Sequence, residues 1–230
     1  MNARILLALL ALTSTAFAAS SFVVAVDASG SMNVKVNGTT KFDIAKSALS
    51  CMFDSMKEGD EGAIFVFEGM HTITMVHGFT TDKSALKSAA RSMNSEFGGT
   101  DLKGGINESS TYALANAGNA NKFIIVISDG GSASAALNQT AAYFHNAGIS
   151  RIQVVGLSVK DNVTLGKTLT GIAANGGGAF YSTFDYASPC DAMKGAYFDG
   201  ATETGGGKCC PALLILPLLL AAGLLSRWHP

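Results

Sequence analysis

Phe22-Val23-Val24-Ala25-Val26-Asp27-Ala28-Ser29-Gly30-Ser31 reads as an apolar strand that ends in a carboxylate and is followed by two hydroxyls at alternate positions. Side chains so spaced can converge on one point and offer it oxygen alone. A hard divalent cation such as Mg²⁺ takes about six oxygen ligands in octahedral array and keeps several waters. One Asp and two Ser cannot fill that shell, so further donors have to arrive on other loops. Gly98-Gly99-Thr100-Asp101 supplies a hydroxyl on a glycine-rich turn. Phe123-Ile124-Ile125-Val126-Ile127-Ser128-Asp129-Gly130 is a second buried strand that ends in an Asp.

Other readings of the same residues fail at named positions. A calcium loop of the EF-hand type beginning at Asp27 needs Gly at its sixth position and Glu at its twelfth, where this chain has Met32 and Gly38. A haloacid-dehalogenase phosphatase would need a second Asp at residue 29, and Ser29 stands there. Capping of the following helix by Asp or Ser explains any one of the three loops but not their joint order.

The constellation Asp27, Ser29, Ser31, Thr100 and Asp129 resembles the metal-ion-dependent adhesion site of von Willebrand factor type A domains, with all five positions matched. The resemblance covers 22–198 and includes Ile172-Ala173-Ala174-Asn175-Gly176-Gly177-Gly178-Ala179-Phe180-Tyr181, which looks like the family's last helix-to-strand turn. It implies a strand order 3-2-1-4-5-6 with the strands ending at Asp27 and Asp129 side by side. It also implies a divalent cation, Mg²⁺ first with Mn²⁺ or Ca²⁺ as alternatives, whose open position takes an Asp or Glu from a protein partner.

The rest of the chain agrees with that class. Apolar runs at 22–26, 62–67, 71–76, 123–128, 151–159 and 179–184 alternate with helix-period stretches at 41–57, 82–94, 101–115, 134–147, 161–174 and 186–198. Strands alternating with helices predict a doubly wound, mostly parallel six-stranded α/β sheet with helices on both faces, a Rossmann-like architecture. The turn at Glu68-Gly69-Met70-His71 makes 62–77 a hairpin, which puts one antiparallel strand at the edge. In such sheets ligands bind at the carboxyl ends of the strands where the order reverses.

The ends carry targeting signals. Residues 1–18 hold Arg4, an apolar run over 5–12 and Ala16-Phe17-Ala18, the pattern of a cleaved secretory signal. The expected organisation is a domain over 19–199, a Gly- and Cys-containing linker over 200–210, and an apolar anchor or sorting tail over 211–230. That tail is short for a spanning helix of about 20 residues and contains Pro217. Small residues at Asp199-Gly200-Ala201-Thr202 and Gly205-Gly206-Gly207 before it resemble a glycosylphosphatidylinositol attachment signal. Bacterial sorting tails share the pattern, and both place the protein outside the cell or on its surface. A plain core helix or a retained span is the alternative.

Of 16 Lys and Arg, removal of Arg4 and Arg227 with the two ends leaves 14 against 17 Asp and Glu. A mildly acidic domain without a basic cluster excludes nucleic acid as a partner and leaves membrane contact to the tail. Cys51, Cys190, Cys209 and Cys210 all lie in the exported part, where disulfides form, and four cysteines allow three connectivities. The family resemblance implies that the helices carrying Cys51 and Cys190 are neighbours, which makes these two the candidate disulfide. The alternative for Cys51 is an ordinary buried thiol. Asn37, Asn107, Asn138 and Asn162 each open an Asn-x-Ser/Thr sequon and are glycosylation candidates.

Enzyme signatures are missing. Gly166-Lys167-Thr168 lacks the first glycine of a phosphate loop, since residue 161 is Asp. Neither Gly-x-Ser-x-Gly nor His-Glu-x-x-His occurs. His71, His77 and His145 are isolated, and Asp101 reads as a helix N-cap. The expected function is a non-enzymatic, cell-surface or secreted adhesion or ligand-binding module. A structural or assembly component of an envelope or matrix is the alternative, and a metal-dependent hydrolase comes behind it.

Overall fold

The computed structural model describes residues 18–69, 72–95, 98–130, 135–160 and 163–202. Six strands form one sheet: β1 (Ser20–Asp27), β2 (Glu61–Phe67), β3 (Ile73–Thr80), β4 (Asn121–Ser128), β5 (Arg151–Gly156) and β6 (Phe180–Ser182). Among the described residues six α-helices accompany them: α1 (Lys41–Asp54), α2 (Lys83–Ser92), α3 (Leu102–Asn116), α4 (Ala135–Asn146), α5 (Thr164–Asn175) and α6 (Pro189–Gly200). The strand order is β3-β2-β1-β4-β5-β6. All neighbouring strands are parallel except β2 and β3, which form the expected antiparallel edge hairpin. The order therefore reverses between β1 and β4, and the two Asp-terminated strands lie side by side.

Every residue of β1 is buried, because the strand has a neighbour on each edge and helices on each face. Side chains alternate across a strand with period two. Phe22, Val24 and Val26 accordingly share one core with Phe123, Ile125 and Ile127, beneath residues of α1, α2 and α6. Val23 and Ala25 join Ile124 and Val126 in a second core beneath α3, α4 and α5. Phe22 is the hub of the first, with ring centroids 5.4 Å from Phe123, 5.5 Å from Tyr197 and 6.4 Å from Phe53. Full burial of one such ring contributes about 1.5–3 kcal/mol. At the amino end of the sheet, buried Asp60 accepts from the Ser20 N–H at 2.7 Å and from the Tyr197 hydroxyl, which ties β1 to α6.

Helix ends follow local capping chemistry. The Thr40 hydroxyl accepts from the Asp43 N–H at 3.0 Å and starts α1. Ser188 caps α6 with Pro189 at its first position, so this helix begins later than the expected residue 186. Two strand expectations were too long. The apolar run 151–159 stays in the sheet only to Gly156, because Ser158 takes a left-handed φ of 57° and turns the chain while Leu157 and Val159 remain buried. The run 179–184 is likewise a strand only over Phe180–Ser182. The edge strand, by contrast, continues past the expected residue 76 to Thr80, since β2 goes on pairing beyond the point where the apolar pattern fades.

The disulfide between Cys51 on α1 and Cys190 on α6 is present, with the two Cα atoms 5.9 Å apart. Among the described residues no helix is long and apolar enough to cross a membrane. Residues 1–17 of the expected signal over 1–18, Cys209, Cys210 and the tail over 211–230 lie outside the described residues.

Candidate metal centre at the carboxyl ends of the central strands

The backbone beyond β1 does not continue the sheet. It enters a single 3-10 turn over Gly30–Asn33, held by the Ala28 N–H on the Phe67 carbonyl at 2.8 Å and the Gly30 N–H on the Gly98 carbonyl at 3.0 Å. The second of these bonds carries the glycine-rich loop, and Thr100 two residues further on, to the end of β1. The loop passes close to the backbone at Gly69, where a Cβ would stand 2.4 Å from the Gly99 nitrogen, so residue 69 has to be glycine.

Asp27, Ser29, Ser31 and Asp129 form one hydrogen-bonded chain. Asp27 is fully buried; one carboxylate oxygen accepts from the Ser29 N–H at 2.9 Å and the other from the Ser128 hydroxyl at 2.6 Å. The Ser29 and Ser31 hydroxyls are 3.1 Å apart. Ser31 Oγ donates to Asp129 Oδ1 at 2.9 Å, and Asp129 Oδ2 accepts from Lys41 Nζ at 2.7 Å. Burial pushes the Asp27 carboxyl above the ordinary carboxylate range, opposed by the bonds from Ser128 and Ser29 and reinforced by the neighbouring Asp129 charge. Two carboxylates thus share a poorly solvated corner. Thr100 is half-buried on the adjoining loop, and among the described residues it hydrogen-bonds none of the other four.

The other candidates go elsewhere. Asp101 turns to its own helix, accepting from the Gly104 N–H at 2.9 Å, as a cap. His77 and His145 each contact a backbone carbonyl, and His71 lies outside the described residues. Asn37 and Asn107 are exposed and Asn138 is half-buried; Asn162 lies outside the described residues.

Three features of the site are not evident from the motif alone. Ser128 occupies the second oxygen of Asp27; the signal was a hydroxyl at the end of a buried strand. Lys41 pairs with Asp129; the signal was a cation in the first turn of a helix, where the macrodipole disfavours it. The rim segment between Ser31 and Lys41 holds a two-stranded antiparallel ribbon, Lys35–Val36 with Thr39–Thr40, closed by Asn37 and Gly38 at φ 51° and 88°. Asn-Gly is a strong short-range hairpin signal.

The donor set fits a hard cation. It is all oxygen, two carboxylates and neutral hydroxyls; among the described residues no group of three or more His, Cys, Asp or Glu is arranged for metal. Oxygen donors of this kind are the ligand type that hard divalent cations take.

Comparison with known proteins gives the same fold. The family model of the von Willebrand factor type A domain matches residues 22–132. No curated protein matches significantly. Among solved structures, an aerotolerance-related membrane protein from Bacteroides fragilis is similar with a TM-score of 0.66 and 20% identity, over 79% of this chain and 98% of that one. The von Willebrand factor domain of a type V pili tip protein from Porphyromonas gingivalis gives 0.63 and 13%, over 83% and 98%. A von Willebrand factor type A protein from Catenulispora acidiphila gives 0.62 and 19%, over 80% and 42%.

Proposed function

We propose that this chain, which has the von Willebrand factor type A fold, is an extracellular or cell-surface binding module that grips an acidic side chain of a protein partner through a divalent cation. The observation that carries the reading is the meeting of Asp27, Ser29, Ser31 and Asp129 at the carboxyl ends of two adjacent parallel strands. Asp27, Ser29, Ser31, Thr100 and Asp129 are the residues that would hold the ion, with Mg²⁺ the best match to an oxygen-only set. When bound, the ion supplies a Lewis-acidic position for a carboxylate from outside. The chain's own part is to fix the donors on a rigid scaffold: Ser128 and the Ser29 N–H orient Asp27, and Ser31 orients Asp129.

Similarity to a pili tip domain and to an aerotolerance-related membrane protein supports a role in adhesion or assembly. The signal over 1–18 and the tail over 211–230 support export and retention at the surface, and the exposed sequons at Asn37 and Asn107 are open to glycosylation there. An assembly component of an envelope uses the same site, with a second copy or a neighbouring subunit as the acidic partner.

The test is calorimetric titration of Mg²⁺ and Mn²⁺ into the chain, followed by capture on an array of Asp- and Glu-containing peptides with metal and with chelator. Saturable one-site metal binding and chelator-sensitive capture are expected, both lost in Asp27→Ala and Asp129→Ala. Capture that persists in excess chelator would refute the reading.

A further inference from the structure

We propose that Lys41 is a tethered cation that occupies Asp129 in the metal-free protein and has to release it when a divalent ion binds, so that this one side chain weakens the site's hold on metal. The inference rests on the metal reading above.

Lys41 Nζ lies 2.7 Å from Asp129 Oδ2, and Ser31 already donates to Oδ1 of the same carboxylate, so both oxygens are engaged. The pair is poorly solvated, with the Asp129 side chain 5% and the Lys41 side chain 15% exposed. Charge pairing is least screened in such surroundings. Nothing local calls for a cation at residue 41. It is the first residue of α1, where the free N–H groups and the macrodipole favour an anion, and the helix already has its cap in Thr40 and an acid in Asp43. A residue that breaks a local rule is expected to be compensated by a longer-range contact, often at a functional site. Asp129, 88 residues away in sequence, is that contact.

The choice of Lys suits release. Its ammonium is a compact, well-hydrated charge on a flexible four-carbon stem, whereas Arg would hold a carboxylate through a rigid fork. The backbone at this residue stays fixed, because its N–H donates to the Val34 carbonyl at 3.1 Å, so the side chain can leave while the loop stays. An ammonium and a divalent ion on the same carboxylate repel one another in a corner of low dielectric. Metal therefore has to displace Lys41 from Asp129, and the lost charge-assisted hydrogen bond is subtracted from the binding free energy.

The experiment measures Mg²⁺ and Mn²⁺ affinity of the full chain by calorimetry, with thermal melts in chelator and in saturating metal. Lys41→Met and Lys41→Gln are each expected to bind metal about 10- to 100-fold more tightly than wild type, the range set by one hydrogen bond to a charged group. Both are expected to melt lower than wild type in chelator and level with it in saturating metal, since Lys41 stabilises the metal-free state alone. Lys41→Arg, which keeps the charge, is expected to show no such tightening. Unchanged or weaker affinity in folded Lys41→Met and Lys41→Gln overturns the inference, as does a melting deficit that survives saturating metal. Absence of metal binding in wild type and in all variants overturns both this inference and the metal reading beneath it.

Discussion

Replacing Cys51 and Cys190 with Ser is expected to lower the melting temperature while leaving the fold intact. The bridge joins residues 139 apart in sequence and ties α1, the helix after the Gly30–Asn33 turn, to α6. In the chain-entropy account, cross-linking a loop of that length removes about 5 kcal/mol of disorder from the unfolded state at 25 °C. Both cysteines are half-buried, so two serines there neither open a cavity nor strand a deeply buried hydroxyl. A domain of this size shifts by about 2–4 °C per kcal/mol, so a fall of about 10–20 °C is the expected ceiling. Calorimetry under oxidising conditions measures it. Wild type reduced with dithiothreitol should melt with the double variant, because both have lost only the cross-link. If oxidised wild type, reduced wild type and the double variant all melt within about 2 °C of one another, less than the shift for one kcal/mol, the reasoning is refuted.

Asp27→Asn should leave the domain folded, since an amide keeps an acceptor for the Ser29 N–H and can donate to the Ser128 oxygen. A melt with and without Mg²⁺ should show the metal-induced rise of wild type gone. Gly105→Ala should cost about 1–3 kcal/mol in urea unfolding, because its Cβ would stand 2.5 Å from the ring of fully buried Phe67; an unchanged midpoint would mean that α3 sits further from the sheet. Alkaline pH should destabilise the protein. Burial, then hydrogen bonds to Asp199 and Asp60, hold the Tyr181 and Tyr197 hydroxyls protonated well above the ordinary tyrosine value of 10.0. The unfolded chain loses these protons first, so stability is fully present below about pH 10 and falls as pH rises beyond it. Chemical unfolding at pH 8 and pH 11 should show that fall in wild type and a smaller one in Tyr181→Phe with Tyr197→Phe.

Local pattern already determined much of this protein. Runs such as 22–26 and 123–127 have no polar position to expose, so they had to become central strands, and alternation with helical stretches left a doubly wound sheet as the economical packing. The ligand candidates were legible for the same reason: Asp27 and Asp129 close two such strands, and the carboxyl end of a parallel strand is where this architecture presents side chains to a ligand. Local signals also sufficed for the Asp101 cap. Tertiary structure decided what depends on partners distant in the chain. Gly156 ends β5 because Ser158 turns the backbone, although the residues beyond remain apolar and buried. Ser128 is bound to Asp27, and Lys41 to Asp129, only because β1 and β4 are neighbours and α1 starts above both. A sequence records which charges a chain carries. Which carboxylate an ammonium neutralises depends on a few ångströms of separation across elements about a hundred residues apart, and folding alone fixes that distance.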